Sequence, residues 1–494
     1  GDGSQLTNVP VDLPAGVISS SNGTLHVNGL ITQGGVGSGA QNIFIGGDAG
    51  GAPDNTGTVR SVIIGAAAAS KLTTGDYAVA IGYKAGGATD TATGDHNNFV
   101  AIGSSAGSQV KTNASRFVMI GPGAGSQAIS PSNSVLIGFN AGALSYSGSA
   151  NILIGYQAGQ NMGNSAGETP NNNIAIGLSA MESAGDATFN VAVGDNALKN
   201  IIGSNNVAIG DQALKDHIDG DSNVAIGYQA MGDAGQDGKT LDHMVAIGTS
   251  TLQQLESGYH NIAIGRESQR AIVTGSNNIT IGYRTLFQEN DVIGSGNIVI
   301  GSNAGYNANG SSFHANVIIG DYAGYQATNR ENVLIGEYAG NDLEDGSQNV
   351  VIGANAARFS NTFQSNTNSV LIGHRTQASA DGNENENVFG YNATGKGSNS
   401  VTIGNASITD IYLSQDIGAQ VHTGNVSGSA VSTASFGRFE GSAAGLTDIP
   451  AAAPTFTDII IQTGVGGSDN IIIGDSNTFS AQIDGGLTTS RRNV

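Results

Sequence analysis

A short motif recurs along this chain: residues 206–213 read Asn-Val-Ala-Ile-Gly-Asp-Gln-Ala, and residues 223–230 read Asn-Val-Ala-Ile-Gly-Tyr-Gln-Ala. The apolar triplet and its glycine recur 21 times within residues 41–405, at a mean spacing of about 18 residues. A further copy stands apart at Ile471–Gly474. A unit this short, repeated this often, is typical of a solenoid in which each coil stacks on its neighbours.

Two positions flanking the triplet are also nearly constant. Asparagine precedes the triplet in 13 of the 22 copies, and alanine stands three positions after the glycine in 16 of them. Asparagine at a fixed place in successive coils is expected to form a hydrogen-bonded ladder, and the fixed glycine suits a corner with positive φ or close backbone approach. Structural residues of the repeat are Asn42, Gly46, Ala49, Gly82, Gly103, Asn151, Gly155, Asn206, Gly210, Asn223, Gly227, Asn261, Gly265, Asn332, Gly336 and Gly404.

The triplets are predicted to be β-strands. They are three residues long, rich in β-branched residues and bounded by Gly and Asn, and glycines placed this often leave no room for a useful helix. The predicted fold class is therefore all-β, a repetitive parallel β-solenoid or β-roll. Coils about 4.8 Å apart give a rod on the order of 100 Å long.

The middle residue of the triplet indicates how the chain assembles. A half-buried strand alternates apolar and polar residues, yet here the middle residue is apolar in 20 of 22 copies, with Thr280 and Thr402 as the exceptions. Both strand faces are therefore expected to be buried, one inside the coil and one against partner chains in a parallel cyclic oligomer. The frequent middle alanine is expected to allow close approach. The alternative is a broad single-chain solenoid whose own second sheet covers the outer face.

Composition and charge exclude several classes of protein. The chain has 76 glycines and 8 prolines in 494 residues, is 38% hydrophobic and only 12% charged, and contains no cysteine. These values are unlike those of a disordered chain or collagen, and they exclude a disulfide scaffold or thiolate site. A formal charge of −21 disfavours nucleic acid as a partner. With no stretch of 18 apolar residues, no membrane insertion is expected.

The segments outside the array repeat each other. Leu6–Pro10 matches Leu446–Pro450, and Ile31–Gly37 matches Ile460–Gly466. This duplication predicts a modular rod instead of one globular domain. The predicted organisation is an N-terminal β connector module at 1–40, a β-roll of about 21 short repeats at 41–405, a Ser/Gly/Thr-rich β connector at 406–450, and the start of a second module with one further repeat at 451–494.

The motif Asn-Val-Ala-Ile-Gly-x-x-Ala resembles the head repeat of trimeric autotransporter adhesins of the YadA-like type. The resemblance covers about 41–405 and implies a left-handed parallel β-roll in an intertwined homotrimer. The family repeat is shorter, so the extra residues here are expected to bulge as loops. The segments at 1–8 and 435–441 resemble connectors of phage tail fibres of the marine-phage type.

Several catalytic patterns can be found, and glycine abundance explains them, whereas the candidate metal-binding residues are expected to be solvated loop residues. Gly103–Gly107 matches G-x-S-x-G, yet it is one copy of the structural repeat. Ile473–Ser476 resembles the start of a lipase of the GDSL type, but no histidine follows it. The eight histidines are scattered, and the acidic clusters Asp219–Asn223 and Asp342–Asp345 lack the full order of a calcium loop. The chain is predicted not to be an enzyme and to need no cofactor; a bound cation such as calcium is the minority alternative.

Tyrosines recur just after the corner glycine, as at Tyr83, Tyr156, Tyr228 and Tyr283. A row of aromatic faces along a rod could stack on sugar rings, so these four are candidate glycan contacts. The alternative is that they cap the coil edge and shield the neighbouring backbone.

These observations predict a homotrimeric phage tail fibre that presents a rigid β-solenoid for attachment to the host. The expected partners are its own copies, other virion tail proteins, and a host-surface glycan or outer-membrane receptor. The expected location is the virion tail, outside the cell. The alternative is a bacterial trimeric surface adhesin or extracellular filament subunit, located on the cell surface.

Overall fold

Short parallel strands dominate the structure, a computed structural model. It describes residues 43–412 apart from 51–59, 73–76, 88–97, 111–113, 145–147, 164, 166, 217–218, 236–240, 288–290, 293, 309–311 and 359–362. Beyond residue 412 it describes only the four strands within 459–489. The residues so described contain no helix.

One parallel sheet of 21 strands runs through the array, one strand for each predicted copy within 41–405. Its strands are Ile43–Ile45, Val62–Ile64, Val79–Ile81, Val100–Ile102, Val118–Ile120, Val135–Ile137, Ile152–Ile154, Ile174–Ile176, Val191–Val193, Val207–Ile209, Val224–Ile226, Val245–Ile247, Ile262–Ile264, Ile279–Ile281, Ile298–Ile300, Val317–Ile319, Val333–Ile335, Val350–Ile352, Val370–Ile372, Glu386–Phe389 and Ser400–Ile403. Two smaller parallel pairs join Leu241–Asp242 to Gly258–Tyr259 and Ile272–Thr274 to Asp291–Val292.

Successive coils pair in the same register. Val207 lies opposite Val224, Ala208 opposite Ala225, and the same correspondence holds along the array. Equivalent positions of the repeat therefore form columns along the rod. The predicted all-β parallel solenoid is confirmed.

Left-handed backbone conformations close each coil. In the coil that contains Val207–Ile209, φ is 62° at Asn205, 136° at Gly210, 58° at Gln212 and 50° at Leu214. Such values are uncommon for residues other than glycine, and hydrogen bonds to the neighbouring coils hold them: the Gln212 N–H donates to the Asp195 carbonyl at 2.8 Å. Stacking thus stabilises corners that an isolated coil would not maintain.

The middle residue of each triplet points into its own coil. Ala208 and Ala225 are fully buried, as is Ala213 three positions after the corner glycine. The expectation that middle alanines let partner chains approach is therefore wrong, because these side chains fill a narrow interior within one chain. The exceptional Thr280 also faces inward, where the Ser268 hydroxyl donates to its Oγ1 at 2.8 Å.

The asparagine column forms a buried ladder. The Asn206 N–H donates to Asn190 Oδ1 at 2.8 Å, and Asn206 Oδ1 accepts from the Asn223 N–H at 2.9 Å. Asn206 Nδ2 donates to the Gly220 carbonyl at 2.8 Å. The same pattern runs through Asn151, Asn173, Asn190, Asn206 and Asn223, and again through Asn261, Asn278, Asn297, Asn316, Asn332 and Asn349. Met244 separates the two segments, and Asn42 lies outside the described residues.

Residues 410–494 form a second unit. Its described strands Ile459–Gln462, Asn470–Ile473, Phe479–Ile483 and Gly486–Thr489 make an antiparallel sheet. The triplet Ile471–Ile473, which the sequence predicts as one further coil, instead pairs antiparallel with both neighbouring strands. A parallel ladder needs another copy one period away, and residues 475–494 contain no such copy. Residues 1–40, most of the connector at 406–450 and the remainder of 451–494 lie outside the described residues.

Replacing the corner glycine Gly227 with alanine is expected to open the array locally. A Cβ at this position would lie 2.5 Å from the Gly248 carbonyl oxygen, and φ is 134°. Backbone strain together with this clash should cost on the order of 3 kcal/mol or more. Limited proteolysis should then show a new cleavage region around residue 227.

Gly185→Ala is the matched control, because the nearest atoms to its Cβ would be 3.8 Å away. This variant should resist protease as the native chain does. Equal protease resistance of Gly227→Ala and Gly185→Ala would contradict the assigned role of the corner column.

Replacing Asn206 with alanine is expected to interrupt the ladder. The change leaves the Asn223 N–H and the Gly220 carbonyl buried without these partners, at a cost of about 1–3 kcal/mol for each group. Hydrogen exchange of the peptide containing the Asn223 amide should accelerate by at least about ten-fold.

Asn205→Gly provides the comparison, because Asn205 is exposed and glycine accepts its φ of 62°. Its exchange pattern should match that of the native chain. If Asn206→Ala left the exchange of this region unchanged, the ladder would not stabilise the coils.

Candidate functional site: an apolar face and an arginine–aromatic cluster

The first and third residues of the 21 triplets, with 387–389 and 401–403 as the last two triplets, form an outer surface here called the Val/Ile face. Valine or isoleucine occupies 20 of the 21 first positions and 20 of the 21 third positions, with Asn387 and Phe389 as the exceptions. None of these side chains is buried in the single chain. The sequence predicted an apolar outer face, and the structure assigns it to these two columns.

The size of the Val/Ile face is unusual for a surface exposed to water. Ile209 is 40% exposed, Ile176 38% and Ile281 37%. A strip about 100 Å long and roughly 7 Å wide has an area of roughly 700 Å², which exceeds the largest apolar patch of a typical soluble monomer. No described segment of this chain buries it.

The candidate glycan-binding tyrosines all lie in the column directly after the corner glycine. Tyr83, Tyr156, Tyr228 and Tyr283 are 53%, 49%, 46% and 38% exposed. They occur on the third, seventh, eleventh and fourteenth strands of the sheet, so roughly 14 to 19 Å separates each from the next. The column therefore does not bring these four rings together into a row.

Neighbouring side chains pack against three of the four rings. Tyr156 stacks on Phe139 with the ring centroids 5.3 Å apart, and the Lys84 ammonium lies 5.2 Å from the centre of the Tyr83 ring. The guanidinium carbon of Arg284 lies 5.0 Å from the centre of the Tyr283 ring. A glycan role for these four residues stays a prediction.

Sequence reasoning missed one group of side chains, here called the arginine–aromatic cluster: Arg266, Arg270, Arg284, Tyr283 and Phe287. The Arg284 guanidinium carbon is 4.8 Å from the centre of the Phe287 ring, and that of Arg270 is 6.0 Å from it. Arg266 lies over Tyr283 at 5.7 Å. The signal available in the sequence was the presence of three of its 18 basic residues within 266–284.

Glu267 holds two arginines of the cluster in place. It is 6% exposed and accepts hydrogen bonds from Arg284 Nε at 2.6 Å and from Arg266 Nη2 at 2.9 Å. Burial acts to raise the pKa of Glu267, but the hydrogen bonds and charges of the two guanidinium groups outweigh burial and lower that pKa overall. Glu267 therefore remains ionised and orients both arginines.

A stack of aromatic rings continues from the cluster along the rod. Phe287 stacks on Tyr306 at 5.2 Å, and Tyr306 stacks on Tyr325 at 5.1 Å with the planes 3° apart. Tyr322 and Tyr338 form a further stacked pair at 5.1 Å. Burial, with the neighbouring Tyr306 and Tyr322, raises the pKa of Tyr325. The distance between ring centroids is close to the spacing of neighbouring coils, so rings one period apart in sequence are brought into contact.

The remaining sequence patterns lie away from the cluster or outside the described residues. Ser105 of the G-x-S-x-G pattern occupies a coil corner with φ of 59°, and residues 474–476 of the Gly-Asp-Ser pattern lie outside the described part. No group of three or more His, Asp or Glu side chains in the described ranges is placed to hold a metal ion. Among these residues no helix has the length and apolarity needed to cross a membrane.

A scan against protein-family models and searches of curated proteins and of solved structures found no match.

Proposed function

We propose that this chain is the structural and receptor-binding subunit of a fibre: a homotrimeric phage tail fibre that presents a rigid β-solenoid for attachment to a host surface. The observation that carries the proposal is the Val/Ile face, an apolar strip along a parallel rod in which Asn387 is the one polar member. Two sequence resemblances, to connectors of phage tail fibres and to the head repeat of trimeric adhesins, support this particular class of protein.

The energy of the Val/Ile face favours assembly. Roughly 700 Å² for each chain is close to the ~800 Å² that each partner buries in a standard-size protein interface. Removing this apolar surface from water favours association. The face is therefore of the size that stable interfaces bury.

The geometry of the face favours a closed, parallel arrangement. Because the coils stack in register, the same two columns remain on one side of the rod from Ile43 to Ile403. Cyclic symmetry lets identical faces meet on a central axis, so that no strip stays exposed and no open filament grows. Three chains is the number implied by the resemblance to trimeric adhesin heads.

A rigid rod suits weak, repeated contact with a surface. A rigid stack of coils on the order of 100 Å long keeps its outward-facing sites at fixed distances from one another. Three identical sites per fibre, and several fibres per particle, raise a weak single-site affinity through effective concentration. The proposed partners are other tail proteins of the virion at one end and a host glycan or outer-membrane receptor.

A bacterial surface adhesin or extracellular filament is the second candidate. The motif Asn-Val-Ala-Ile-Gly-x-x-Ala, on a parallel coil with a buried asparagine, favours it. Gold-labelled antibodies against the array distinguish the two candidates. Label on the tails of phage particles supports the virion fibre, and label on bacterial surfaces without particles supports the adhesin.

Two glutamates on the Val/Ile face are expected to disrupt the assembly. Ile176 and Ile209 are among its most exposed side chains in the single chain, so Ile176→Glu with Ile209→Glu should leave the solenoid itself folded. In the trimer both carboxylates would be buried without partners. Light scattering should give about 149 kDa for the native protein, three times the chain mass of 49.5 kDa, and a smaller mass for the variant.

Phe189→Glu with Ile202→Glu is the matched control, because these side chains are 59% and 52% exposed and lie off the Val/Ile face. This control should keep the native mass, and all three proteins should show the same β-type circular dichroism. A native mass near 50 kDa would contradict the homotrimer.

A further inference from the structure

The arginine–aromatic cluster departs from the charge of the rest of the chain. The three arginines Arg266, Arg270 and Arg284 lie within 19 residues that contain one acidic residue, Glu267, with Glu256, Glu289 and Asp291 outside this stretch. The whole chain carries a formal charge of −21. A local positive site on such a chain attracts an anion that the remaining surface repels.

The three guanidinium groups retain hydrogen-bond donors. Arg284 uses Nε toward Glu267 Oε2, Arg266 uses Nε and Nη2 toward Glu267 Oε1, and Arg270 uses Nε toward Gln253 Oε1 at 3.2 Å. Within the described ranges these are their only side-chain hydrogen bonds. Nη1 of Arg266 and both terminal nitrogens of Arg270 and Arg284 therefore have no hydrogen-bond partner among the described residues and can serve a ligand.

The donors are held in place before any ligand arrives. Buried Glu267 fixes two of the guanidinium groups, and the rings of Tyr283 and Phe287 lie beside their planes. Cation–π contacts and charged hydrogen bonds of this kind reduce the motion that binding must remove. A planar guanidinium also matches the paired oxygens of a carboxylate, sulfate or phosphate group.

The cluster is separate from the Val/Ile face. Its members follow the corner glycines Gly265 and Gly282 and are not at the first or third strand positions. The Arg266 side chain is 63% exposed and that of Arg284 is 34% exposed. Partner chains that bury the Val/Ile face therefore contact different positions of the repeat.

We infer that the arginine–aromatic cluster binds an anionic saccharide, with the acidic group on the three arginines and a sugar ring beside Phe287 and the Tyr306 stack. The shared ligand chemistry is an oxyanion carried on a pyranose. Phe287, Tyr306 and Tyr325 stack on one another, so they offer ring edges and tyrosine hydroxyl groups to a polysaccharide lying along the rod. Tyrosine hydroxyl groups can donate hydrogen bonds to sugar oxygens and accept them from sugar hydroxyls. This inference rests on the proposed function, since it names the class of surface polymer that the fibre would contact.

The test measures binding of the full-length native assembly to three fluorescent polymers at low and high salt. Polygalacturonate carries carboxylates, dextran sulfate carries sulfates, and dextran is neutral. We expect binding of at least one charged polymer, weakened by salt, and none of dextran. The charged polymer that binds identifies the oxyanion.

Two variants test the cluster itself. Arg270→Gln removes one cation without touching Glu267, and the combination of Arg266→Gln, Glu267→Gln and Arg284→Gln avoids leaving a buried unpaired carboxylate. Each lowers the net charge by one. We expect each to weaken binding of the charged polymer by at least about ten-fold, the usual effect of losing a charged hydrogen bond.

Arg330→Gln is the matched control, because Arg330 is exposed elsewhere on the rod and the charge change is the same. It should bind the polymer as the native protein does. The inference is overturned if neither charged polymer binds, if dextran binds equally well, if the cluster variants bind normally, or if Arg330→Gln loses as much affinity. The mass measurement is independent of these results, so a trimer that binds none of the polymers overturns this inference while the proposed fibre stands.

Discussion

Each coil of the array hydrogen-bonds to the next in the same register, so a residue type repeated in the sequence becomes a column in space. Each column restricts the residue type at its position for a different physical reason. The corner column admits only glycine, because a Cβ on Gly210 would lie 2.5 Å from the carbonyl oxygen of Gly227 one coil away. The asparagine column must satisfy buried backbone groups, and the middle strand column must fit a narrow interior. The excess of glycine and the shortage of charged residues in the composition follow largely from these three restrictions.

The same in-register stacking leaves the Val/Ile face uncovered within one chain. Alternation along a three-residue strand turns the middle side chain inward and the two outer ones outward, as Ala208 and Ile209 illustrate. These two outer columns are apolar on 20 of the 21 coils, and none of their side chains is buried in the single chain, so a covering surface is expected in water. The proposed assembly is argued from this feature, and the arginine–aromatic cluster lies in other columns of the repeat.

Much of the array could be predicted from sequence because its signal is repeated 21 times. The strands, the corner glycines and the asparagine ladder each follow from residue types at fixed positions. The orientation of the middle alanine could not be predicted, since an apolar residue fits either face of a doubly buried strand. The left-handed corners at residues such as Gln212 and Leu214 also gave no signal, because bonds to neighbouring coils stabilise them and local propensity does not.

The lateral contacts depend on a position of the repeat outside the motif. Arg270, Phe287 and Tyr306 each stand five positions after a corner glycine, so in-register stacking places them in one column. For the candidate tyrosines the sequence correctly identified one column, yet their distribution over distant coils separates Tyr83 from Tyr156. The triplet at Ile471–Ile473 shows the limit of the motif: without a neighbouring copy, the same residues join an antiparallel sheet.

A cross-section of the native assembly by electron cryomicroscopy would test the central claim most directly. The account predicts three solenoids around a three-fold axis, with the Val/Ile faces meeting at the centre and the corner and loop columns outside. A single solenoid in cross-section, or an assembly in which the Val/Ile faces point to solvent, would contradict it.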